Sequence, residues 1–230
     1  MNSQKFYDEI SDSYSELFLK RIKYNNAVDD YIRNYLKIET AKNILDIGSG
    51  NGERITRLVP KSTKITSVED SARMCTRLRS NREIEKVIEC DAANLKITDF
   101  DEHFDAITMQ WNVLGHIQDP SKLLNLLFKI LNLGGCLIFD VNNPLNVRYY
   151  GINSLISNLI HFNLYPRYKR RAFQLSMGEL TTPVSFSPPS FYRSLLKDCG
   201  FTKVEFSYLD YETGNPASFL TGQILITAFK

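Results

Sequence analysis

The sequence predicts an α/β fold of three layers, an αβα sandwich around a mostly parallel seven-stranded sheet with a C-terminal antiparallel hairpin. Two observations predict this fold. Five short apolar runs alternate with stretches of helical periodicity, the pattern typical of successive βαβ units whose parallel sheet is covered on both faces. Two further strand-like runs near the end of the chain are separated only by a loop, which favours an antiparallel pair.

The first forty residues precede the sheet. Apolar side chains recur there at three- and four-residue intervals, which predicts two helices. These side chains are Ile10, Tyr14, Leu17, Phe18, Ile22, Val28, Tyr31, Ile32, Tyr35 and Leu36.

The predicted parallel strands are residues 43–47, 64–69, 86–90, 104–109 and 136–142. The segments between them are predicted helices. The clearest covers residues 120–131 and is expected to stop at Gly134-Gly135, because a glycine pair ends helical patterns.

The rhythm changes after the fifth strand. Residues 189–199 are predicted to form a helix closed by Gly200, and residues 201–211 and 223–229 form the hairpin strands. Residues 145–185 are far longer than the usual connection of about 2–6 residues. This insertion is rich in aromatic residues and has apolar residues at helical spacing. We expect a helical lid at the carboxyl end of the sheet, although a helix that merely extends the core fits as well.

Bulk properties exclude several classes of protein. At 230 residues the chain predicts a single α/β domain, 1–230, with N-terminal helices in 1–40 and the lid-like insertion. A net charge of +2 gives no general affinity for nucleic acid or anionic membrane. The four cysteines and three histidines are scattered, so no metal site is predicted. Neither a signal peptide nor a membrane span is recognised, so we expect a cytoplasmic protein.

The loop after the first strand carries glycines at alternate positions: Gly48, Gly50 and Gly52. Glycine has no Cβ and tolerates positive φ, so such a loop lets backbone approach a ligand closely. A dinucleotide fingerprint would need its third glycine where Glu53 stands. An acidic side chain there would repel a pyrophosphate at the helix start. The spacing therefore disfavours a nicotinamide-dependent oxidoreductase.

Two further strand ends carry acids. Glu69 lies at the tip of the second strand, about 20 residues after the glycine loop, where its carboxylate can accept hydrogen bonds from ribose hydroxyls. Asp70 or Ser71 can cap the next helix at the same time. Asp91 follows the third strand and can accept from an adenine amine, with Ala92 leaving space for the ring. A capping role explains Asp91 almost as well.

Asp46-x-Gly48-x-Gly50-x-Gly52, Phe104-Asp105-Ala106-Ile107 and Leu133-Gly134-Gly135-Cys136 resemble motifs of the class I (Rossmann-like) S-adenosylmethionine-dependent methyltransferases, of the small-molecule type. The resemblance covers residues 42–142 firmly and extends to the C-terminus. It implies S-adenosyl-L-methionine as cofactor and S-adenosyl-L-homocysteine as product. The cofactor residues it implies are Tyr14, Asp46, Gly48, Ser49, Gly50, Glu69, Asp70, Met74, Asp91, Ala92 and Met109. Ser67 departs from the family, which often has glycine there.

The exit of the fourth strand is where the resemblance brings acceptor and methyl donor face to face. His116 is the best general base in the chain, because an ordinary imidazole pKa near 6.5 suits proton removal at neutral pH. A purely structural histidine is the alternative. The residues predicted to contact the acceptor are Tyr7, Gln110, Trp111, Asn112 and Tyr149.

The acceptor itself is less constrained. An aromatic lid favours a small-molecule acceptor, which would receive the methyl group at an O or N atom. One alternative is an RNA methyltransferase that uses the basic cluster 167–171; a solvated helix face explains this cluster at least as well, and nucleic acid is disfavoured. Another is a non-catalytic subunit that only binds S-adenosylmethionine. A homodimer is one arrangement that stays open.

Overall fold

A computed structural model describes residues 2–36, 41–164, 170–177 and 179–230 of the chain. Its helices are α1 Ser3–Ile10, α2 Tyr14–Lys20, α3 Ile22–Leu36, α4 Glu53–Leu58, α5 Ala72–Ser80, α6 Val113–His116, α7 Pro120–Ile130, α8 Val147–Leu164 and α9 Pro189–Asp198. Its strands are β1 Asn43–Ile47, β2 Lys64–Glu69, β3 Lys86–Glu89, β4 Phe104–Met109, β5 Leu131–Val141, β6 Arg171–Met177, β7 Leu180–Phe186, β8 Lys203–Leu209 and β9 Gln223–Phe229.

Seven strands form one sheet in the order β3-β2-β1-β4-β5-β9-β8. The first five are parallel to one another, and β9 pairs antiparallel with both β5 and β8. The predicted sheet and its C-terminal hairpin are thus confirmed. Because the chain runs outward from β1 to β3 and then returns to β4 on the other side of β1, a crevice opens at the carboxyl ends of β1 and β4.

Side chains alternate between two core clusters, one on each face of the sheet. Leu45, Ile107 and Leu137 pack on the face that α7 and α9 cover. Their neighbours in sequence point to the opposite face, which α3 and α4 cover. At the carboxyl ends of the strands this second face turns polar: Asp46, Thr108 and Asp140 are buried there. The regular pleat therefore delivers polar groups to one edge of an otherwise apolar interface.

The N-terminal segment differs from the prediction of two helices, since it forms three. A 3-10 turn at Ser11–Ser13 separates α1 from α2, and the Ser13 hydroxyl donates to the Ile10 carbonyl at 3.2 Å. Serine favours such breaks because its side chain competes for backbone hydrogen bonds. Arg21, with non-helical backbone angles, separates α2 from α3.

Strand β5 begins at Leu131, five residues before the predicted start. Helix α7 consequently ends at Ile130 rather than at the glycine pair. Leu131 pairs with Phe104 of β4, and both side chains are buried, so pairing and burial override the glycine signal.

The insertion at 145–185 contains a hairpin that was not predicted. Helix α8 is kinked at Gly151, where φ is 79°. Strands β6 and β7 then pair with each other in a separate two-stranded sheet, next to α1 and α6. Arg167 and Lys169 of the basic cluster lie outside the described residues. In the part of the chain that the structure does describe, no helix is both long and apolar enough to cross a membrane.

Candidate active site

The glycine loop is held against β2 and lies open to ligand contact. The backbone N–H groups of Gly48 and Ser49 both donate to the Val68 carbonyl, at 2.8 and 3.2 Å. Gly48 and Gly50 have φ of 69° and 57°, a region that favours glycine. A Cβ on Gly50 would lie 3.0 Å from the Tyr14 ring. Because Gly50 has no side chain, the Tyr14 ring of α2 can lie close to the backbone of the loop.

Glu69 joins this loop to the start of α5. Its buried carboxylate accepts from the backbone N–H of Gly50 at 2.8 Å, Asp70 at 3.1 Å and Ser71 at 3.0 Å. Burial raises the pKa of Glu69, although the hydrogen bonds from the Ser71 and Gly50 N–H groups oppose the shift. The Ser71 hydroxyl caps α5 by accepting from the Met74 N–H at 3.3 Å. Ser71 therefore takes the capping role expected at this strand end, and the ribose contact of Glu69 stays a prediction.

A cleft, called here the glycine-loop cleft, follows the carboxyl ends of β1 to β4. Predicted residues that line it are Tyr7, Tyr14, Gly48, Gly50, Glu69, Asp70, Met74, Asp91, Ala92, Gln110, Trp111 and His116. Lining residues that were not predicted are Ser3, Val68, Cys90, Val113 and Ile117. Asp91 also accepts from the Ala93 N–H at 2.8 Å, so the capping explanation holds too. An apolar side chain next to a motif gives no signal in sequence, which is why Val68 and Val113 were missed.

A second cavity, the Arg54 cavity, opens beneath the same loop. Asp46 and Ser49 line it with Thr108, whose hydroxyl donates to Asp46 Oδ1 at 2.6 Å. Burial raises the pKa of Asp46 to about 6, against the opposing Thr108 hydrogen bond. Met109 is fully buried in the core and lines none of the cavities described here, so its side chain does not take the predicted contact.

Two buried groups in the Arg54 cavity have hydrogen-bonding capacity to spare. Arg54 Nε donates to Asp29 Oδ1 at 2.6 Å, whereas its Nη2 is buried without a hydrogen-bond partner. Gln110 Nε2 donates to the Ile138 carbonyl at 3.2 Å, whereas its Oε1 is buried and unpartnered. Buried polar atoms are normally satisfied, so a bare donor and a bare acceptor in one cavity are expected to meet a ligand. Arg54 was not predicted.

A third cavity, of about 500 Å³, lies on the other side of the β4 exit; we call it the Asp140 cavity. Asp140 accepts from the Tyr24 hydroxyl and from the Asn112 N–H, each at 3.2 Å. Predicted residues that line this cavity are Tyr7, Tyr14, Trp111, Asn112, His116 and Tyr149. Leu175 and Ser176 of β6 also line it, so the insertion borders the cavity with its hairpin as well as with its helix. Asp140 itself was not predicted.

Tyr7, Tyr14, Trp111 and His116 line both the glycine-loop cleft and the Asp140 cavity. We call this set the shared wall. The Tyr14 and Trp111 ring centroids are 5.7 Å apart, as are those of Tyr7 and His116. Any group that passes from a ligand in the cleft to one in the cavity must cross this wall.

The turn that carries Trp111 is strained. Trp111 and Asn112 have φ of 62° and 57°, unusual for residues other than glycine. The Asp140 carboxylate holds the Asn112 N–H, and Asn112 Oδ1 accepts from the Asn142 N–H at 3.2 Å. Strain of this kind persists where the surroundings over-determine it, which is common at functional sites.

Comparison with known proteins decides the family. A family model described as a methyltransferase domain matches residues 18–206, most of the chain. The chain belongs to this methyltransferase family.

Relatives of this methyltransferase agree with the assignment. The glycine/sarcosine N-methyltransferase of Parasynechococcus marenigrum (strain WH8102) is 26% identical over 146 residues, which cover 61% of this chain and 51% of that protein. The chain spans about half the length of the curated relatives it matches. A SAM-dependent methyltransferase of Thermotoga maritima, described as a possible histamine N-methyltransferase, has a TM-score of 0.69 at 19% identity and coverage of 99% of both chains. The sugar N-methyltransferase KedS8 of Streptoalloteichus sp. ATCC 53650 has a TM-score of 0.62 at 16% identity, covering 94% of this chain and 92% of that one.

S-Adenosylmethionine is the cofactor, and the unpartnered atoms described above fit it. A carboxylate needs donors and an ammonium needs acceptors. Arg54 Nη2 and Gln110 Oε1 supply one of each in the Arg54 cavity, next to the buried Asp46 carboxylate. The nucleoside end requires hydroxyl and amine acceptors, and Glu69 and Asp91 line the adjoining cleft. The two cavities together match a molecule with an amino-acid end and a nucleoside end.

The structure corrects the expectation that His116 has an ordinary imidazole pKa. Burial lowers its pKa to about 4. The imidazole is therefore neutral at pH 7, and it is a weaker base than a pKa near 6.5 would give. The Tyr7 hydroxyl lies 3.4 Å from its Nε2.

The described part of the basic cluster is occupied by contacts within the protein. The Arg170 guanidinium donates to the carbonyls of Ile117 at 2.6 Å, Gln118 at 2.9 Å and Leu114 at 3.2 Å, at the end of α6. Arg171 Nη1 donates to Asn158 Oδ1 at 2.6 Å. Neither guanidinium is a bare surface charge.

Proposed function

We propose that this methyltransferase transfers a methyl group to an O or N atom of a small molecule bound in the Asp140 cavity. The shared wall carries this proposal, because it separates a cleft suited to the donor from a cavity of about 500 Å³. That volume lies in the range of small-molecule sites, about 300–1,000 Å³. The aromatic rings of the wall exclude water and fix both reactants.

In this proposal the protein acts mainly by positioning. The sulfonium of S-adenosylmethionine supplies an already electrophilic methyl group. Glu69 and Asp91 hold the nucleoside, while Arg54 and Gln110 hold the amino-acid end. Tyr14 and Trp111 then confine the methyl group to one line of approach.

His116 is proposed to accept the proton, or the hydrogen bond, of the attacking O–H or N–H. It lies on the shared wall and is neutral at physiological pH, so its unprotonated ring nitrogen can accept a hydrogen bond or a proton. Because its basicity is low, His116 acts mainly by orienting the acceptor and takes up the proton late in the transfer. Tyr7, whose hydroxyl lies 3.4 Å from Nε2, is proposed to set the ring's orientation.

Nitrogen is the favoured acceptor atom, since two similar proteins are named as N-methyltransferases and a third as a possible N-methyltransferase. The RNA alternative is weaker, because Arg170 and Arg171 already have partners within the protein. A cytoplasmic location, one domain over 1–230, a lid-like role for the insertion at 145–185 and a homodimer remain predictions. Gel filtration coupled to light scattering tests the last.

The proposal is tested with purified protein in two steps. Calorimetry with S-adenosylhomocysteine, and with NAD as control, first measures the donor site. Transfer of tritiated methyl groups to small amines, alcohols and bulk RNA then measures the acceptor. We expect the protein to bind S-adenosylhomocysteine and to transfer methyl groups to small acceptors. Binding without transfer to any of them would support the non-catalytic subunit, and transfer to RNA alone would overturn the proposal.

A further inference from the structure

The Asp140 cavity contains a buried carboxylate without a cationic partner. Asp140 is 7% exposed and lies 3.2 Å from the Tyr24 hydroxyl and from the Asn112 N–H. Among the described residues, no Lys, Arg or His forms an ion pair with it. The charge of Arg54 lowers the pKa of Asp140, but Arg54 itself is paired with Asp29. A buried carboxylate is costly unless a positive charge compensates it. Burial accordingly raises the pKa of Asp140.

Another part of the same cavity carries two positively charged side chains. Lys20 and Arg21 both line it, and neither forms an ion pair with an acid in the ranges that the structure describes. The Arg21 guanidinium lies over the Tyr211 ring, 3.5 Å from its centroid. Glu212 also lines the cavity, but its side chain is 79% exposed and its carboxylate lies 4.0 Å from Arg148. The two cations therefore remain available to an anion.

A chain of contacts orders these two charged ends. Arg21 stacks on Tyr211, whose ring centroid lies 5.0 Å from that of Tyr24. Tyr24 in turn donates to Asp140. Two aromatic rings thus separate the guanidinium from the carboxylate. Asp140 is the end next to the shared wall, because it binds the backbone of Asn112.

We infer that the acceptor is an amine that also carries an anionic group, a carboxylate or a phosphate, at its far end. The amine nitrogen lies beside Asp140 at the shared wall, and the anion lies beside Lys20 and Arg21. This inference rests on the proposed function and deepens it. The ammonium of the acceptor then pairs with the Asp140 carboxylate, and its anionic group pairs with Lys20 and Arg21. The described part of the protein supplies neither of these ion pairs.

The chemistry balances with the amine as nucleophile. The bound ammonium first loses one proton to His116 or to solvent, so that Asp140 stays ionised. The nitrogen lone pair then forms the new N–C bond, while the sulfur keeps the electron pair of the breaking S–C bond and becomes a neutral thioether. The product is an N-methylammonium ion, which Asp140 can hold in the same place.

The first test compares four acceptor classes of equal chain length, three to six carbons, with tritiated donor and native protein. The classes are ω-amino carboxylic acids, aminoalkyl phosphates, amino alcohols and diamines. We expect kcat/KM for an acid or a phosphate to exceed that of its alcohol by at least about tenfold, as a charge-assisted contact requires. The ratio of acids to phosphates identifies which anion the cavity prefers.

The second test reverses the distal charge. Arg21→Glu should raise KM for acids and phosphates by about tenfold or more and improve the diamines, with S-adenosylhomocysteine affinity unchanged. Lys23→Glu makes the same charge change at an exposed residue that does not line the cavity, and it should leave the order of acceptors unchanged.

Three results would overturn the inference. One is an amino alcohol that reacts as well as the acid, and another is an Arg21→Glu variant that lowers all four classes equally. The third is S-adenosylhomocysteine binding with transfer to alcohols but to no amine in the panel. Failure of the protein to bind S-adenosylhomocysteine would instead remove the proposed function as well, so the two failures are distinguishable.

Discussion

Replacing Arg54 by methionine should weaken S-adenosylhomocysteine and spare a ligand that lacks its amino-acid end. The reason is the buried Arg54 Nη2, which has no partner within the protein and lines the cavity assigned to that end. A hydrogen bond to a charged group contributes about 1.5–3 kcal/mol. Its loss corresponds to an increase in Kd of about 10- to 150-fold. Methionine keeps most of the length of the side chain without its charge.

The chain offers a matched control in Arg57. Arg54 Nε and Arg57 Nη2 each lie 2.6 Å from one oxygen of the buried Asp29 carboxylate, so either substitution removes one ion pair. Arg57 also lines the Arg54 cavity, but its side chain is 46% exposed and none of its nitrogens is buried without a hydrogen bond. Arg57→Met should therefore reproduce the structural damage with a smaller loss of ligand contact.

The assay is calorimetry of three proteins with two ligands, S-adenosylhomocysteine and 5′-methylthioadenosine. Only the combination of Arg54→Met with S-adenosylhomocysteine should show the large increase in Kd. The reasoning fails if Arg54→Met weakens both ligands equally, because the effect is then structural. It fails also if Arg57→Met weakens S-adenosylhomocysteine as much as Arg54→Met does.

Four other predictions follow from burial and backbone geometry. Since the pKa of His116 is lowered to about 4, kcat/KM should show no fall assignable to His116 between pH 7 and 5.5; a step near 6.5 that His116→Gln abolishes would contradict this. The unfolded chain protonates His116 first as pH falls below 6.5, so wild type should lose up to about 2 kcal/mol of unfolding free energy by pH 5 relative to His116→Gln, measured by urea titration. Gly48→Ala, at φ 69° and with its Cβ against the Val113 side chain, should cut S-adenosylhomocysteine affinity at least about tenfold; unchanged Kd would refute the close approach. Leu127→Ala, fully buried under the sheet, should cost about 2–5 kcal/mol of unfolding free energy in the same titration without changing that Kd; a cost below about 1 kcal/mol would contradict the packing.

Much of the sheet was predictable because parallel strands are short, apolar and bounded by turn residues. Strands β1, β2, β4 and β9 have the predicted bounds. The hairpin of β6 and β7 was missed, although Arg171–Phe186 alternates in character, because the aromatic residues and helical spacing around it dominated the interpretation. Such a hairpin pairs only with itself, so no neighbouring strand in the sequence signals it.

The meeting of the glycine loop and the strand-end acids in one cleft was also predictable, since a glycine loop and acids at strand ends are local signals. The acceptor side was not. Asp140 lies within a predicted apolar strand, and only the pleat and the packing of α3 show that its carboxylate faces a cavity. His116 was chosen for an ordinary pKa, which burial then removed.

The sequence by itself determined the family, the order of the strands along the chain and the acids at the carboxyl edge, because each depends on residues close together in the chain. Tertiary structure decided how the glycine-loop cleft and the Asp140 cavity meet. Tyr7 and His116 are 109 positions apart and touch only because α1 folds over the exit of β4. Arg21 and Asp140 are likewise joined only through Tyr211 and Tyr24. Pairing across such distances depends on packing free energy summed over the whole core, which no local pattern of residues contains.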